Sequence, residues 1–120
     1  MATGPVYKIS REDDIVRIDF IQSPEREDMV AAMDELGEME NSALRLYVMV
    51  QAEILLSTAE VRDGANIARS YANQPRKIAV VAPGNISYGI SRIFKVFRES
   101  DETEFAVFRD LDEARAWLLS

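Results

Sequence analysis

The chain has 120 residues, 48% of them hydrophobic, which is enough for one continuous core and predicts a single domain over residues 1–120. Its 21 acidic and 14 basic residues give a net charge of -7, which disfavours binding to nucleic acid or to an anionic membrane surface. The absence of Cys and His excludes disulfides, structural zinc, cysteine nucleophiles and every mechanism that needs an imidazole base.

The N-terminal part of the chain predicts an antiparallel hairpin. Residues 6–10 and 15–21 are rich in β-forming side chains, and a polar turn over residues 11–14 separates them. In the second of these strands apolar and charged residues alternate, which indicates one buried face and one wetter face.

A helix and a central strand are predicted next. Ser23 is a suitable N-cap, Pro24 suits the first helical position, and Gly37 with Asn41 predicts the end of the helix. Residues 44–50 have little polarity on either face, as a central strand would.

The second half of the chain alternates helices and strands. Ser57 and Glu60 have the spacing of a capping box and predict the start of a second helix. Residues 77–82 predict a buried strand that Pro83 and Gly84 stop. The helix after it has the most regular apolar stripe of the chain: Ile90, Ile93, Phe94 and Phe97.

A short strand over residues 104–108 and a final helix opened by Asp110 and Glu113 complete the predicted order, β-β-α-β-α-β-α-β-α. Such alternation requires crossover connections, so the fold class is α/β, with a mixed, mostly parallel sheet that begins with the antiparallel hairpin and is flanked by helices. The longest aliphatic runs are far shorter than the ~20 residues of a membrane span, and the first residues do not have the pattern of a secretory signal. The sequence therefore predicts a cytoplasmic protein that is not transmembrane.

Two glycines, Gly84 and Gly89, flank four residues after an apolar run, as the glycines of a phosphate-binding P-loop do. That loop would need Lys at position 90, where this chain has Ile90, so the sequence does not predict a nucleotide site of this kind. The favoured interpretation is a tight turn in which Gly84 supplies an unusual backbone angle and Asn85 or Ser87 caps the helix. The alternative is an anion held by the free N–H groups near Ser87.

Three segments carry a resemblance that spans nearly the whole chain. STAEVRDGANIAR, KIAVVAPGNISYGISRIFKVFRES and VFRDLDEARAWL, in this element order, resemble the bacterial STAS/SpoIIAA-like family. The resemblance implies a non-catalytic module that binds protein partners, nucleotides or lipids. The phosphorylated Ser of the family's anti-sigma factor antagonists lies in an Asp-Ser-Ser/Thr-Gly motif, whereas this chain has Leu-Ser-Thr-Ala, so Ser57 and Thr58 are positional analogues only.

Three groups of residues are candidates for contact with a partner or ligand, and each has a plain structural alternative. Arg92 and Lys95 share a helix face and can form a cationic patch, or a solvated face that pairs with Glu99. Ser57 and Thr58 can be phosphorylated or contact a partner, or serve only as a helix cap. The full set comprises Ser57 and Thr58, a ligand or partner rim of Gly84, Asn85, Ser87, Tyr88 and Arg92, and an apolar pocket of Ile54, Leu55 and Leu56. The alternative for the last three residues is a loop that folds back over the core.

No catalytic or metal-binding residue is predicted, and no cofactor. The carboxylate pairs at residues 13–14 and 27–28 lie in a turn and in a helix's first turn, so a carboxylate-dependent hydrolase has little support. The sequence favours a non-enzymatic regulatory or protein-interaction module. The alternative is a carrier or sensor that binds a small amphipathic or lipid ligand in an apolar pocket, and a homodimer stays open.

Overall fold

The computed structural model describes residues 5–120, so the first four residues of the predicted domain lie outside the described part of the chain. The elements follow the predicted order. They are β1 (Tyr7–Glu12), β2 (Ile15–Phe20), α1 (Arg26–Glu38), β3 (Leu44–Val48), α2 (Thr58–Arg69), β4 (Lys77–Val81), α3 (Asn85–Arg98), β5 (Glu104–Phe108) and α4 (Leu111–Leu118).

The strands form one mixed sheet in the order β1-β2-β3-β4-β5, which confirms the predicted architecture. β1 is antiparallel to β2, and each later strand is parallel to its neighbour. The hairpin turn is tighter than predicted: Arg11 and Glu12 pair with β2, which leaves Asp13 and Asp14 to make the connection. Asp13 has a φ of 52°, a left-handed conformation that Asp tolerates better than most residues.

The two faces of the sheet carry different layers. The helices α1, α2 and α3 lie side by side and cover the larger core, which includes Ile18, Leu36 and Ile78. The helix α4 packs on the opposite face, where Leu118 contacts a smaller core that includes Leu46. In the described part of the chain, no helix is long and apolar enough to cross a membrane.

Two details of the helices differ from the predictions. The N-cap of α1 is Glu25 rather than Ser23, because the Asp28 carboxylate accepts a hydrogen bond from the Glu25 N–H and starts the helix later. The buried centre of α3 is not the apolar stripe expected from the sequence, whose Ile90, Ile93 and Phe97 are only half-buried. The buried residues of α3 are Ser87, Ser91, Phe94 and Arg98.

Candidate functional site

The predicted site residues gather at the carboxyl ends of the central strands β3 and β4. The segment 49–57 leaves β3 and enters α2, while residues 82–84 leave β4 and enter α3. The carboxyl ends of parallel strands share one edge, where α/β proteins commonly bind ligands. A hydrogen bond of 2.8 Å from the Ile54 N–H to Ser87 Oγ joins the two segments, so residues far apart in the chain form one surface.

The N-terminus of α3 is occupied by a side chain of the protein itself. Glu53 Oε2 accepts hydrogen bonds from Ser87 Oγ at 2.7 Å and from the Ser87 N–H at 3.3 Å. The carboxylate thus takes the position that an external anion would take at a helix N-terminus. The position considered for an external anion at this turn is therefore already occupied by Glu53.

The role of Gly84 at this turn differs from the predicted one. Its φ of -76° and ψ of 144° are available to any residue, so the expectation of an unusual backbone angle is wrong. A Cβ at position 84 would collide with the Glu53 carboxylate, so the glycine allows the close approach of that group. Gly84 is itself the N-cap, and neither Asn85 nor Ser87 has that position.

The outer side of the same turn is organised by Arg109. Its guanidinium lies 4.2 Å from the centre of the Tyr88 ring and donates to Pro83 O at 3.0 Å and to Asn85 Oδ1 at 2.9 Å. The predicted rim is therefore divided: Gly84 and Ser87 face Glu53, whereas Asn85 and Tyr88 face Arg109. Arg92 follows Tyr88 by one helical turn and is exposed.

Ser57 caps α2 as its spacing predicted. The Glu60 N–H donates to Ser57 Oγ at 3.2 Å, and Glu60 Oε1 accepts from the Ser57 N–H at 2.9 Å. These hydrogen bonds from the backbone and hydroxyl of Ser57 hold the pKa of Glu60 below its usual range. Both Ser57 and Thr58 are exposed, so the cap leaves them accessible from solvent.

The predicted apolar pocket is divided between the core and the surface. Ile54 and Leu56 are buried, while Leu55 is 66% exposed. Ile54 lines a cavity of about 20 Å³ between the sheet and the helices, and the buried hydroxyl of Ser91, which has no hydrogen-bond partner among the described residues, also lines it. A space of this size suits about one water molecule, so an acyl chain does not fit in the cavity as it stands.

Large apolar side chains are exposed at this same end of the sheet. Val50 and Ile86 are each 59% exposed and lie just after β3 and in the first turn of α3, and Leu55 lies between them in sequence. Neither Val50 nor Ile86 was predicted as a site residue. Val50 was predicted to lie in the third strand, which ends at Val48, and a lone apolar residue in the first turn of a helix carries no periodic signal. Glu53 and Arg109 were likewise missed, since each acts through a contact with a distant segment.

The carboxylate pairs that could have supported hydrolysis remain where the sequence placed them. Asp13 and Asp14 make the β1–β2 turn, and Glu27 and Asp28 lie in the first turn of α1. Within residues 5–120, no group of three or more acidic side chains is arranged to hold a metal ion.

The comparisons with known proteins agree with this architecture. The family model described as SpoIIAA-like matches residues 15–119, nearly the whole chain. Neither the comparison with curated proteins nor that with solved structures found a match. The chain belongs to the SpoIIAA-like family of STAS domains, which are generally non-enzymatic and typically interact with proteins.

Proposed function

We propose that this protein is a non-enzymatic regulatory module that binds a protein partner through the carboxyl end of its sheet. The contact area, here called the carboxyl-end surface, consists of Val50, Leu55 and Ile86 with the hydroxyls of Ser57 and Thr58. The observation that carries the proposal is the exposure of three large apolar side chains on segments that a hydrogen bond joins. Such clusters, when bordered by polar residues, commonly mark sites of protein interaction.

The border of this surface indicates the chemistry of the partner. Leu55 and Leu56 line an open depression of about 510 Å³ whose other walls come from residues 23–27 and Glu60. That lining contains three carboxylates, Glu25, Glu27 and Glu60, against one cation, Arg26. A partner with an apolar contact area and a cationic border would match it.

Phosphorylation offers a route to regulation. A phosphate on the exposed Ser57 would lie at the N-terminus of α2 and add negative charge beside the acidic border. It would therefore strengthen the attraction of a cationic partner. Asp is itself a good N-cap, so Ser57→Asp tests the charge while preserving the helix.

The experiment begins with crosslinking in cells of the source organism and purification of the partner it identifies. Titration calorimetry then compares wild type with Leu55→Asp and Ile86→Asp, each expected to weaken binding at least tenfold because burying an unpaired carboxylate is costly. The matched control is Val96→Asp, an equally apolar and 76% exposed position of α3. Val96 lies about 15 Å along the helix from Ile86.

The proposal fails if Leu55→Asp and Ile86→Asp bind as tightly as Val96→Asp. For regulation, Ser57→Asp should bind the cationic partner more tightly than wild type, and unchanged affinity would exclude the charge mechanism. The carrier alternative receives no comparable support, because the apolar cavity has the volume of a water molecule.

A further inference from the structure

Within residues 5–120, strand β5 pairs with β4 alone and therefore forms one edge of the sheet. Its pairing with β4 includes a hydrogen bond from the Glu104 N–H to Arg76 O at 3.0 Å and one from the Ala82 N–H to Phe108 O at 2.8 Å. Because the residues of a paired strand bond alternately to one side and the other, the backbone groups of Phe105 and Val107 point away from β4. Outward-pointing groups of this kind are a template for an additional strand.

A groove lies beside this edge. It has a volume of about 350 Å³, is open to solvent, and is lined by Tyr88, Arg92 and Lys95 of α3 and by Ala106 and Val107 of β5. The three helix residues lie on one face of α3, because they are spaced by four and three positions. A strand added to β5 would therefore run beneath one row of side chains.

The groove is cationic although the chain as a whole has a net charge of -7. Within residues 5–120, neither Arg92 nor Lys95 lies within 4.0 Å of a carboxylate oxygen, so the expected pairing with Glu99 is wrong. Arg109 at the end of the groove is held by uncharged acceptors and by the Tyr88 ring. In the described part of the chain, these three cations have no acidic partner, which favours an anionic occupant.

We propose that the groove binds an acidic, extended segment of a partner protein, which adds to β5 as a sixth strand. Side chains on one face of such a strand recur about every 7 Å. Along α3, Tyr88 and Arg92 are about 6 Å apart and Arg92 and Lys95 about 4.5 Å. Acidic residues at alternate positions would therefore reach Arg92 and Lys95 in turn, while the backbone pairs with Phe105 and Val107.

The groove is at the edge of the sheet and shares no residue with the carboxyl-end surface, so this inference does not depend on the function proposed above. The two are tested with different variants. Loss of one binding activity leaves the other measurable.

The probe is a fluorescent peptide of about eight residues, an ordinary strand length, in which Glu and Val alternate. A peptide with Lys in place of Glu controls for charge. By fluorescence anisotropy, the acidic peptide should bind wild type and the basic peptide should not. The double variant Arg92→Glu/Lys95→Glu should weaken binding of the acidic peptide by at least tenfold.

The matched control changes the net charge equally at a distance from the groove. Lys8→Glu/Arg62→Glu replaces two exposed cations, one on β1 and one on α2, and should bind the acidic peptide with nearly wild-type affinity. Circular dichroism shows that both double variants fold. Equal affinities of the two double variants would overturn the proposal.

Strand addition is tested separately from charge. Two acidic peptides are methylated at alternate backbone nitrogens, one at the odd positions and the other at the even positions. Each keeps its carboxylates but loses the N–H donors on one side of the strand. One register should bind at least tenfold more weakly than the other, because only one side of the added strand pairs with β5. Equal binding of both methylated peptides would overturn the strand geometry. Two outcomes would overturn the assignment of the groove to an acidic protein segment. One is binding to phosphatidylglycerol vesicles without binding to the peptide, and the other is self-association that the Arg92 and Lys95 changes abolish.

Discussion

Replacing Arg98 by Met is expected to stabilise the protein. Arg98 is 0% exposed, and Nε, Nη1 and Nη2 have no hydrogen-bond partner within residues 5–120. Burial lowers the pKa of Arg98; the Tyr47 phenol opposes this shift, and the nearby charges of Arg45 and Arg69 add to it. The guanidinium therefore has a desolvation cost that no carboxylate of the described residues compensates.

The magnitude follows from the cost of a buried charge. Met preserves an unbranched apolar stem, and exchanging buried ionic groups for apolar residues of similar volume commonly stabilises proteins by about 1–4 kcal/mol. For a domain of this size each kcal/mol raises Tm by about 4 °C. Arg98→Met should therefore raise Tm by roughly 4 to 16 °C. Urea unfolding at neutral pH, followed by circular dichroism, measures the same change in the free energy of unfolding.

Arg45 provides the matched control. It is as deeply buried, at 1% exposed, but its guanidinium donates to Ser42 O and Ser42 Oγ, each at 3.1 Å, and to Asn73 O at 3.2 Å. Arg45→Met removes the donor to the Ser42 and Asn73 carbonyl oxygens, although Asn73 Nδ2 still donates to Ser42 Oγ, and should destabilise the fold by about 1–3 kcal/mol. If Arg98→Met is folded but also less stable than wild type by more than about 1 kcal/mol, the premise that its charge is uncompensated is wrong.

Three further predictions concern the caps and the tyrosines. Ser57→Ala should lower the free energy of unfolding by about 1 kcal/mol in urea titrations and Ser57→Asp by much less, because only alanine removes the capping side chain. Equal losses in the two variants would contradict the role of Ser57 as a helix cap. Gly84→Ala should lower the free energy of unfolding by about 1–3 kcal/mol, and the loss should be smaller when Glu53 is also replaced by Ala. Strictly additive effects of the two substitutions would show that the two positions do not touch. The pKa of Tyr7 is raised to about 12 by burial and a hydrogen bond to a carboxylate, and that of Tyr71 to about 12 by a hydrogen bond to a carboxylate. Because folding favours the neutral phenols, stability present below pH 10 should be lost as the pH rises to about 12. Ultraviolet titration should show at least two late phenolates, and ionisation of all four tyrosines near pH 10 would refute this.

Element order was predictable because hydrophobic period distinguishes strands from helices without knowledge of tertiary contacts. The Ser57 cap was predictable for the same reason, since a capping box is complete within four residues. The start of α1 was less predictable, because Glu25 is the N-cap although Ser is the better capping residue, and this choice depends on the contact of the Asp28 carboxylate with the Glu25 N–H.

The orientation of α3 could not be read from its apolar residues. Most residues on the buried face of α3 are polar, so the apolar stripe predicted from the sequence lies mainly beside that face. Ser87 is buried because Glu53 and the Ile54 N–H satisfy its hydroxyl, and that contact spans 34 positions of sequence for Glu53 and 33 for Ile54. A pattern within one helix carries no information about such partners.

The Glu53 contact also decides what kind of recognition the carboxyl end of the sheet can support. A helix N-terminus attracts anions because its first N–H groups are unsatisfied and the helix dipole is positive there. In α3 this attraction is already used within the chain, since the Glu53 carboxylate accepts from both the backbone and the hydroxyl of Ser87. An external phosphate would have to displace a carboxylate held by two hydrogen bonds, so the groups free for recognition at this end are the exposed apolar side chains and their acidic border. Arg92 and Lys95, which have no carboxylate oxygen within 4.0 Å among residues 5–120, lie instead along the β5 edge, so the apolar contact surface and the cationic groove are separate.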